Sequence, residues 1–350
     1  MVVSEGRAGF MLEVAREDAA LYAPVRAAAE AALLAIPEVE RAQVVMTAAS
    51  RAPPPGTTRV VKGAKVTADP RAAPEAMPPP ERLAHVKRVI AIASGKGGVG
   101  KSSVTVNLAA ALAAAGQKVG VLDADIYGHS VPRMLGVTDP PTQVEQMIMP
   151  PTAYGVKVIS IGMFTTGNAP VVWRGPMLHR AVQQFLADVY WGDLDVLLMD
   201  LPPGTGDVAI SVAQLVPGAE LIVVTTPQLA SSEVAERAGA ISVQTHQRIT
   251  GVIENMSSLA CPHCGEPVPV FGSGGGQAVA DALTRVTGAP VPLLGQVPID
   301  VRLREGGDRG VPLVIADPDS AAAEQLAGIA NGMVNRSRGL AGRRLGLTPA

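Results

Sequence analysis

The chain has 350 residues, a formal net charge of −2 and 17% charged side chains. Near-neutrality excludes a general electrostatic grip on nucleic acid, and an apolar fraction of 47% excludes a disordered chain. Aromatics make up only 3%, so the core has to be built from Ala, Val, Leu and Ile, a composition suited to buried parallel strands and alanine-rich helices.

Residues 1–48 read as a small α+β module. A strand-like run, Gly9–Val14, precedes an alanine-rich helix near Leu21–Ala35 and a second strand-like run, Ala42–Thr47. Such a piece is small for an independent core. Glu5 interrupts the N terminus, which does not read as a signal peptide. Residues 49–82 contain eight prolines and no regular apolar period, so 49–86 is expected to be a semi-extended linker.

From 87 to 334 the pattern becomes strands alternating with helices. Short, nearly continuous apolar runs fall at Val89–Ser94, Val119–Asp123, Val156–Ile161, Asp195–Asp200, Leu221–Thr226 and Gly251–Asn255. Runs of this kind, separated by helical stretches, predict an α/β fold with a mostly parallel, doubly wound sheet covered on both faces. The tail, 335–350, is Arg- and Gly-rich and is expected to fray. No apolar run reaches about 18 residues without a charge or a breaker. The expectation is therefore a cytoplasmic protein with no stable membrane association and no nucleic-acid partner.

The first strand runs into Gly95-Lys96-Gly97-Gly98-Val99-Gly100-Lys101-Ser102, and a helix follows from Ser103. This is G-x-x-x-x-G-K-[ST] in its strand–loop–helix context, the P-loop of a nucleotide-binding fold. The glycines let backbone N–H groups wrap phosphates, and the helix start adds favourable partial charge. Lys101 is expected to reach the β- and γ-phosphates and the Ser102 hydroxyl to bind Mg²⁺. Lys96 is open to two readings: a solvated lysine, or a cation that neutralises phosphate charge across a dimer interface.

Asp123 and Asp125 follow one apolar strand, and Asp200 ends another just before Leu201-Pro202-Pro203-Gly204. Ligands of open α/β sheets bind at such strand ends. An acid after four apolar strand residues is the Walker B arrangement, which holds Mg²⁺.

The two cysteines, Cys261 and Cys264, form C-x-x-C. On spacing alone three readings stay open: a zinc site shared between chains, an iron–sulfur site completed by a second chain, or a redox pair. His263, inside the turn, is badly placed as a third ligand to the same metal.

Together, Gly95–Ser102, Asp123–Gly128 and Asp200–Asp207 resemble the Mrp/ApbC family of iron–sulfur carrier ATPases. That family belongs to the deviant Walker A group, with MinD and the nitrogenase iron protein. Pro170–Met177, Thr225–Gln228, Glu254–Ser257, Cys261–Gly265 and Phe271–Gly276 extend the resemblance over roughly 87–330. The resemblance implies an ATP-hydrolysing homodimer that carries a [4Fe–4S] cluster from scaffold to recipient apoproteins. It implies that Lys96 contacts the partner subunit's nucleotide and that Asp125 positions the attacking water. Asp123 and Asp200 with Ser102 would hold Mg²⁺, and Asn255 and Pro298 would flank adenine. Cys261 and Cys264, with the same pair from a second subunit, would bind the bridging cluster. His129 stands where the family usually has Pro, and the N-terminal piece resembles only the second half of the family's small iron–sulfur-assembly domain. Two other functions share the ATPase site. One is a MinD- or ParA-like organiser with a structural zinc clasp. The other is a nitrogenase-like reductase, against which the close cysteine spacing argues.

Overall fold

The computed structural model describes residues 2–4, 7–14, 23–36, 39, 41–48, 83, 85–125, 128, 130–144, 147–164, 175–204, 207–228, 239–240, 242–245 and 247–335. Most of the expected linker, the tail from 336, His129 and the segment 170–174 lie outside the described residues. The chain divides into two compact units, Met1–Ala72 and Ala73–Ala350.

In the first unit, β1 (Val2–Ser4) pairs antiparallel with β2 (Arg7–Val14), and β2 pairs in parallel with β3 (Arg41–Ala48). The parallel pair requires a crossover, which α1 (Ala23–Leu34) supplies. Leu33 and Val39 are its buried apolar side chains among the described residues.

The second unit is built on a nine-stranded, mostly parallel sheet. Its central strands are β4 (Val86–Ser94), β5 (Val119–Asp123), β10 (Leu194–Asp200) and β11 (Glu220–Thr225). β9 (Val156–Ser160) and the two-residue β8 (Thr152–Ala153) continue one side, and β12 (Arg248–Ala260), β13 (Pro267–Val268) and β14 (Leu293–Ile299) the other. A separate short ribbon pairs β6 (Thr142–Val144) with β7 (Met147–Met149).

Successive side chains on a strand point to opposite faces, and both faces of β4 are apolar. Val89, Ala91 and Ala93 join one core with Leu197, Met199 and Val223. That core is closed by α4 (Gly175–Asp188), α5 (Asp207–Leu215) and α6 (Gly275–Thr287), which contribute Leu186, Val212 and Leu283. Ile90 and Ile92 join the opposite core with Val121, Leu198 and Val224. There the cover is α2 (Lys101–Ala114) and α9 (Ala321–Asn335), which supply Leu108, Leu112 and Leu326. Between them in sequence lie α3 (Val131–Met134), α7 (Val301–Arg309) and α8 (Leu313–Ala316). The alanine run of α2 is buried on nearly every side, where larger side chains would not fit between sheet and α9.

The sheet differs from the sequence reading by the two-residue strands β8 and β13 and by two larger features. β12 extends well past Asn255 to Ala260, and β14 is an additional strand. β14 was hidden by Gly295 and Pro298, which interrupt its apolar run. A Cβ on Gly295 would lie 2.8 Å from Ile329 of α9, and a proline is tolerated where a strand borders the sheet.

Candidate nucleotide and cysteine site

β4 ends at Ser94, and residues 95–100 turn the chain into α2. Gly98 and Gly100 have φ of 77° and 78°, a left-handed conformation that favours glycine. Gly100 also leaves no room for a side chain, because a Cβ there would lie 2.3 Å from Asn255 Nδ2. The backbone N–H groups at the start of α2 have no side-chain cap, so the loop is a ready cradle for anionic oxygens.

Behind the loop sits a buried polar cluster. Asp200 and Asp123 are register partners on adjacent parallel strands, so both carboxylates emerge at one level. Asp200, fully buried, receives Lys101 Nζ at 2.8 Å and Ser102 Oγ at 2.6 Å on Oδ2, and Thr105 Oγ1 at 2.8 Å on Oδ1. Lys101 Nζ lies 3.8 Å from Asp125 Oδ2. Asp123 accepts Ser160 Oγ at 3.0 Å and the Asp125 N–H at 3.1 Å. Burial, and then the negative charge of Asp200, push Asp123 up to about 7. Oxygen donors from Ser102, Asp123 and Asp200 suit a hard cation such as Mg²⁺, and bringing such a cation close would favour the ionised form of Asp123.

A cavity of about 550 Å³ opens beside the loop, with Gly100 and Ser103 at one end. Asn255 and Pro298 both line it, as do Arg133, Arg304 and Phe271. Asn255 is buried, and its Nδ2 donates to Val99 O at 2.9 Å, tying β12 to the phosphate loop. The next residue, Met256, has φ of 61°. Asp300 caps α7 at the cavity wall by accepting the Arg302 N–H at 2.9 Å, and the Arg302 side chain holds its carboxyl below the usual range.

Lys96 lies on the outer side of the loop, and its Nζ donates to Gln228 Oε1 at 2.5 Å. The lysine is therefore hydrogen-bonded within its own chain at an exposed position. Gln228 had been legible only as part of a motif without a role.

The cysteines stand at the end of β12. Ala260 pairs with Pro267 and Leu259 with Val268, so β12 and β13 form a hairpin with C-x-x-C at its tip. The turn is closed by Cys261 N–H to Glu266 O and Gly265 N–H to Cys261 O, each 2.9 Å. Backbone N–H groups of Cys264 and His263, and then the Cys264 thiol, hold the Cys261 thiol below its usual value. No group of three or more His, Cys, Asp or Glu able to hold a metal occurs among the described residues, so one chain brings two thiols.

The structure thus brings Gly95–Ser103, Asp123, Asp125 and Asp200 to one site, with Asn255 and Pro298 in the adjoining cavity. It places Cys261 and Cys264 apart from them, on the far end of the strand that carries Asn255. Sequence reading missed Thr105 and Ser160, and it placed Gln228 and Phe271 in motifs without giving them a role. Thr105 was findable, because it lies one helical turn beyond Lys101 and shares its face.

Fold and loop together define a P-loop nucleotide-binding protein. Residues 85–334 match the family described as NUBPL iron-transfer P-loop NTPase, and the chain belongs to that family. An iron–sulfur cluster carrier protein of Mycobacterium tuberculosis is 70% identical over 262 residues, 75% of this chain and 68% of the relative. A protein of the same name from Synechocystis is 44% identical over 282 residues, 79% of this chain and 77% of the relative. A nucleotide-binding protein from Archaeoglobus fulgidus, solved with ADP, superposes with a TM-score of 0.59 at 35% identity, covering 70% of this chain and 93% of that one. MinD from Pyrococcus horikoshii, complexed with Mg-ADP, gives 0.50 at 26% identity, covering 71% and 96%.

Proposed function

We propose that this chain binds and hydrolyses ATP and uses the nucleotide to control the carriage of an iron–sulfur cluster, delivered to recipient apoproteins. The observation that supports this best is β12 itself. The strand touches the phosphate loop through Asn255 and ends in the exposed cysteine turn. One element therefore joins the nucleotide site to a pair of soft ligands.

Residues 95–103 cradle the phosphates, with Lys101 on the β- and γ-phosphates. Ser102, Asp123 and Asp200 would hold Mg²⁺, which when bound would neutralise charge on the phosphate oxygens. Asp125 accepts a hydrogen bond from the water that attacks the γ-phosphorus. The bond from that phosphorus to the bridging oxygen of ADP breaks, and inorganic phosphate leaves. Asn255 and Pro298 flank the adenine. Lys96 leaves Gln228 to reach the nucleotide of a second copy. Each chain brings two thiolates, half the ligand set of a [4Fe–4S] cluster, so two copies related by a twofold axis hold one cluster between them.

The test is anaerobic reconstitution with iron and sulfide, with metal content, absorption spectrum and particle mass measured together. About two iron and two sulfide per chain, in a particle of twice the chain mass, is the expected result. The Cys261→Ala/Cys264→Ala protein should lose both. Zinc at one per two chains, with no iron taken up, would make the cysteines a structural clasp and overturn cluster carriage.

A further inference from the structure

We propose that Phe271 contacts the base of the bound nucleotide and thereby ties occupancy of the cavity to the cysteine hairpin. This rests on reading the cavity as the nucleotide pocket.

The chain has four phenylalanines, and Phe271 is 40% exposed. It lines the cavity along with Asn255, Met256 and Pro298, while Gly100 and Ser103 mark the end next to the phosphate loop. A nucleotide anchored by its phosphates at Gly100 extends its ribose and base into the remaining space. An aromatic ring on that wall offers a π-face to a base, a contact that tolerates any base because all have one.

Asn255 and Met256 reach the cysteine turn along β12, and Phe271 is attached to its other strand. Phe271 lies three residues past the end of β13, in a turn closed by Val270 N–H to Val268 O at 2.9 Å and Gly272 N–H to Pro269 O at 3.1 Å. Through the Ala260–Pro267 pair and the Cys261–Glu266 hydrogen bond, β13 is fastened to the cysteine turn. The other end of the segment is fixed at the start of α6. There a Cβ on Gly275 would lie 2.3 Å from Pro227 O, and Gly276 N–H donates to Glu254 Oε2 at 2.5 Å. Glu254 precedes Asn255 on β12. With both ends held, a shift of the Phe271 ring upon a base is passed to the hairpin that presents Cys261 and Cys264.

The full-length, metal-free protein is titrated calorimetrically with ADP and with tripolyphosphate, which has no base. Phe271→Ala should weaken ADP roughly tenfold, the scale of one lost base stack, and leave tripolyphosphate unchanged. Phe271→Trp should retain ADP binding. In parallel, the rate at which a disulfide reagent consumes the two thiols should change on adding ADP to the wild-type protein and stay constant in Phe271→Ala. Equal ADP affinity in Phe271→Ala, or equal weakening of ADP and tripolyphosphate, overturns the base contact. A wild-type thiol rate indifferent to ADP overturns the link to the hairpin. Failure of the wild-type protein to bind ADP at all would instead remove the nucleotide reading on which the inference stands.

Discussion

Lys101 is 6% exposed and shares its charge with Asp200, which is fully buried. Removing one member of such a pair leaves the other as an uncompensated buried charge, at a cost of roughly 3–5 kcal/mol. Lys101→Met should therefore lower unfolding free energy in urea on that scale as well as abolish nucleotide binding. Lys101→Met/Asp200→Asn should recover most of the stability and none of the binding. If Lys101→Met is as stable as the parent, the pair is not what holds the cluster together. Cys261 yields a pH-dependent expectation. Its thiol is held below the ordinary value of 9.0 by backbone N–H groups, so its thiolate fraction rises at lower pH than that of a free cysteine. Alkylation of Cys261 in metal-free protein, followed by mass spectrometry from pH 6 upward, should reach half its limiting rate at lower pH than in a short unstructured peptide of the same sequence. A midpoint no lower than the peptide's would mean that the turn does not form without metal. The P-loop and the acidic strand ends were legible at this scale because each sits at a fixed place relative to an apolar run. The role of Gln228 was not, because its partner is distant in sequence: Lys96 is 132 residues from Gln228.

The elements show where periodicity suffices and where it fails. β4, β5, β10 and β11 are buried on both faces, so they read as continuous apolar runs, and their positions were recovered to within three residues. β14 breaks that rule, since Gly295 admits Ile329 and Pro298 borders the nucleotide cavity. The length of β12 beyond Asn255 was hidden for a related reason. Met256 turns the backbone through a left-handed conformation, and the outer half, Met256–Ala260, is partly exposed and loses its apolar pattern. The junction of α6 with β11 provides a test of packing. Gly275 lies so close to Pro227 O that an added methyl would meet backbone rather than a movable side chain. Gly275→Ala should destabilise by about 1–3 kcal/mol and shift the urea midpoint accordingly. Gly218→Ala, where a Cβ meets nothing within 4 Å, should stay close to the parent and serves as its control.

At the scale of the whole molecule, the described residues that form both apolar cores of the second unit run from Leu83 to Met333. Deleting residues 1–72 should accordingly leave ADP affinity and the main urea transition unchanged. Weaker ADP binding would give the first unit a part in the nucleotide site, and a shifted transition a part in the stability of the second. Among the described residues, no helix is long and apolar enough to cross a membrane. The partners that the two lysines of the loop find within one chain have a consequence of their own. Lys101 rests on Asp200 and Asp125, and Lys96 on Gln228, all within one chain. If the loop takes a nucleotide as proposed, its phosphates compete with these resident partners for the lysines, so the affinity measured is net of the bonds given up.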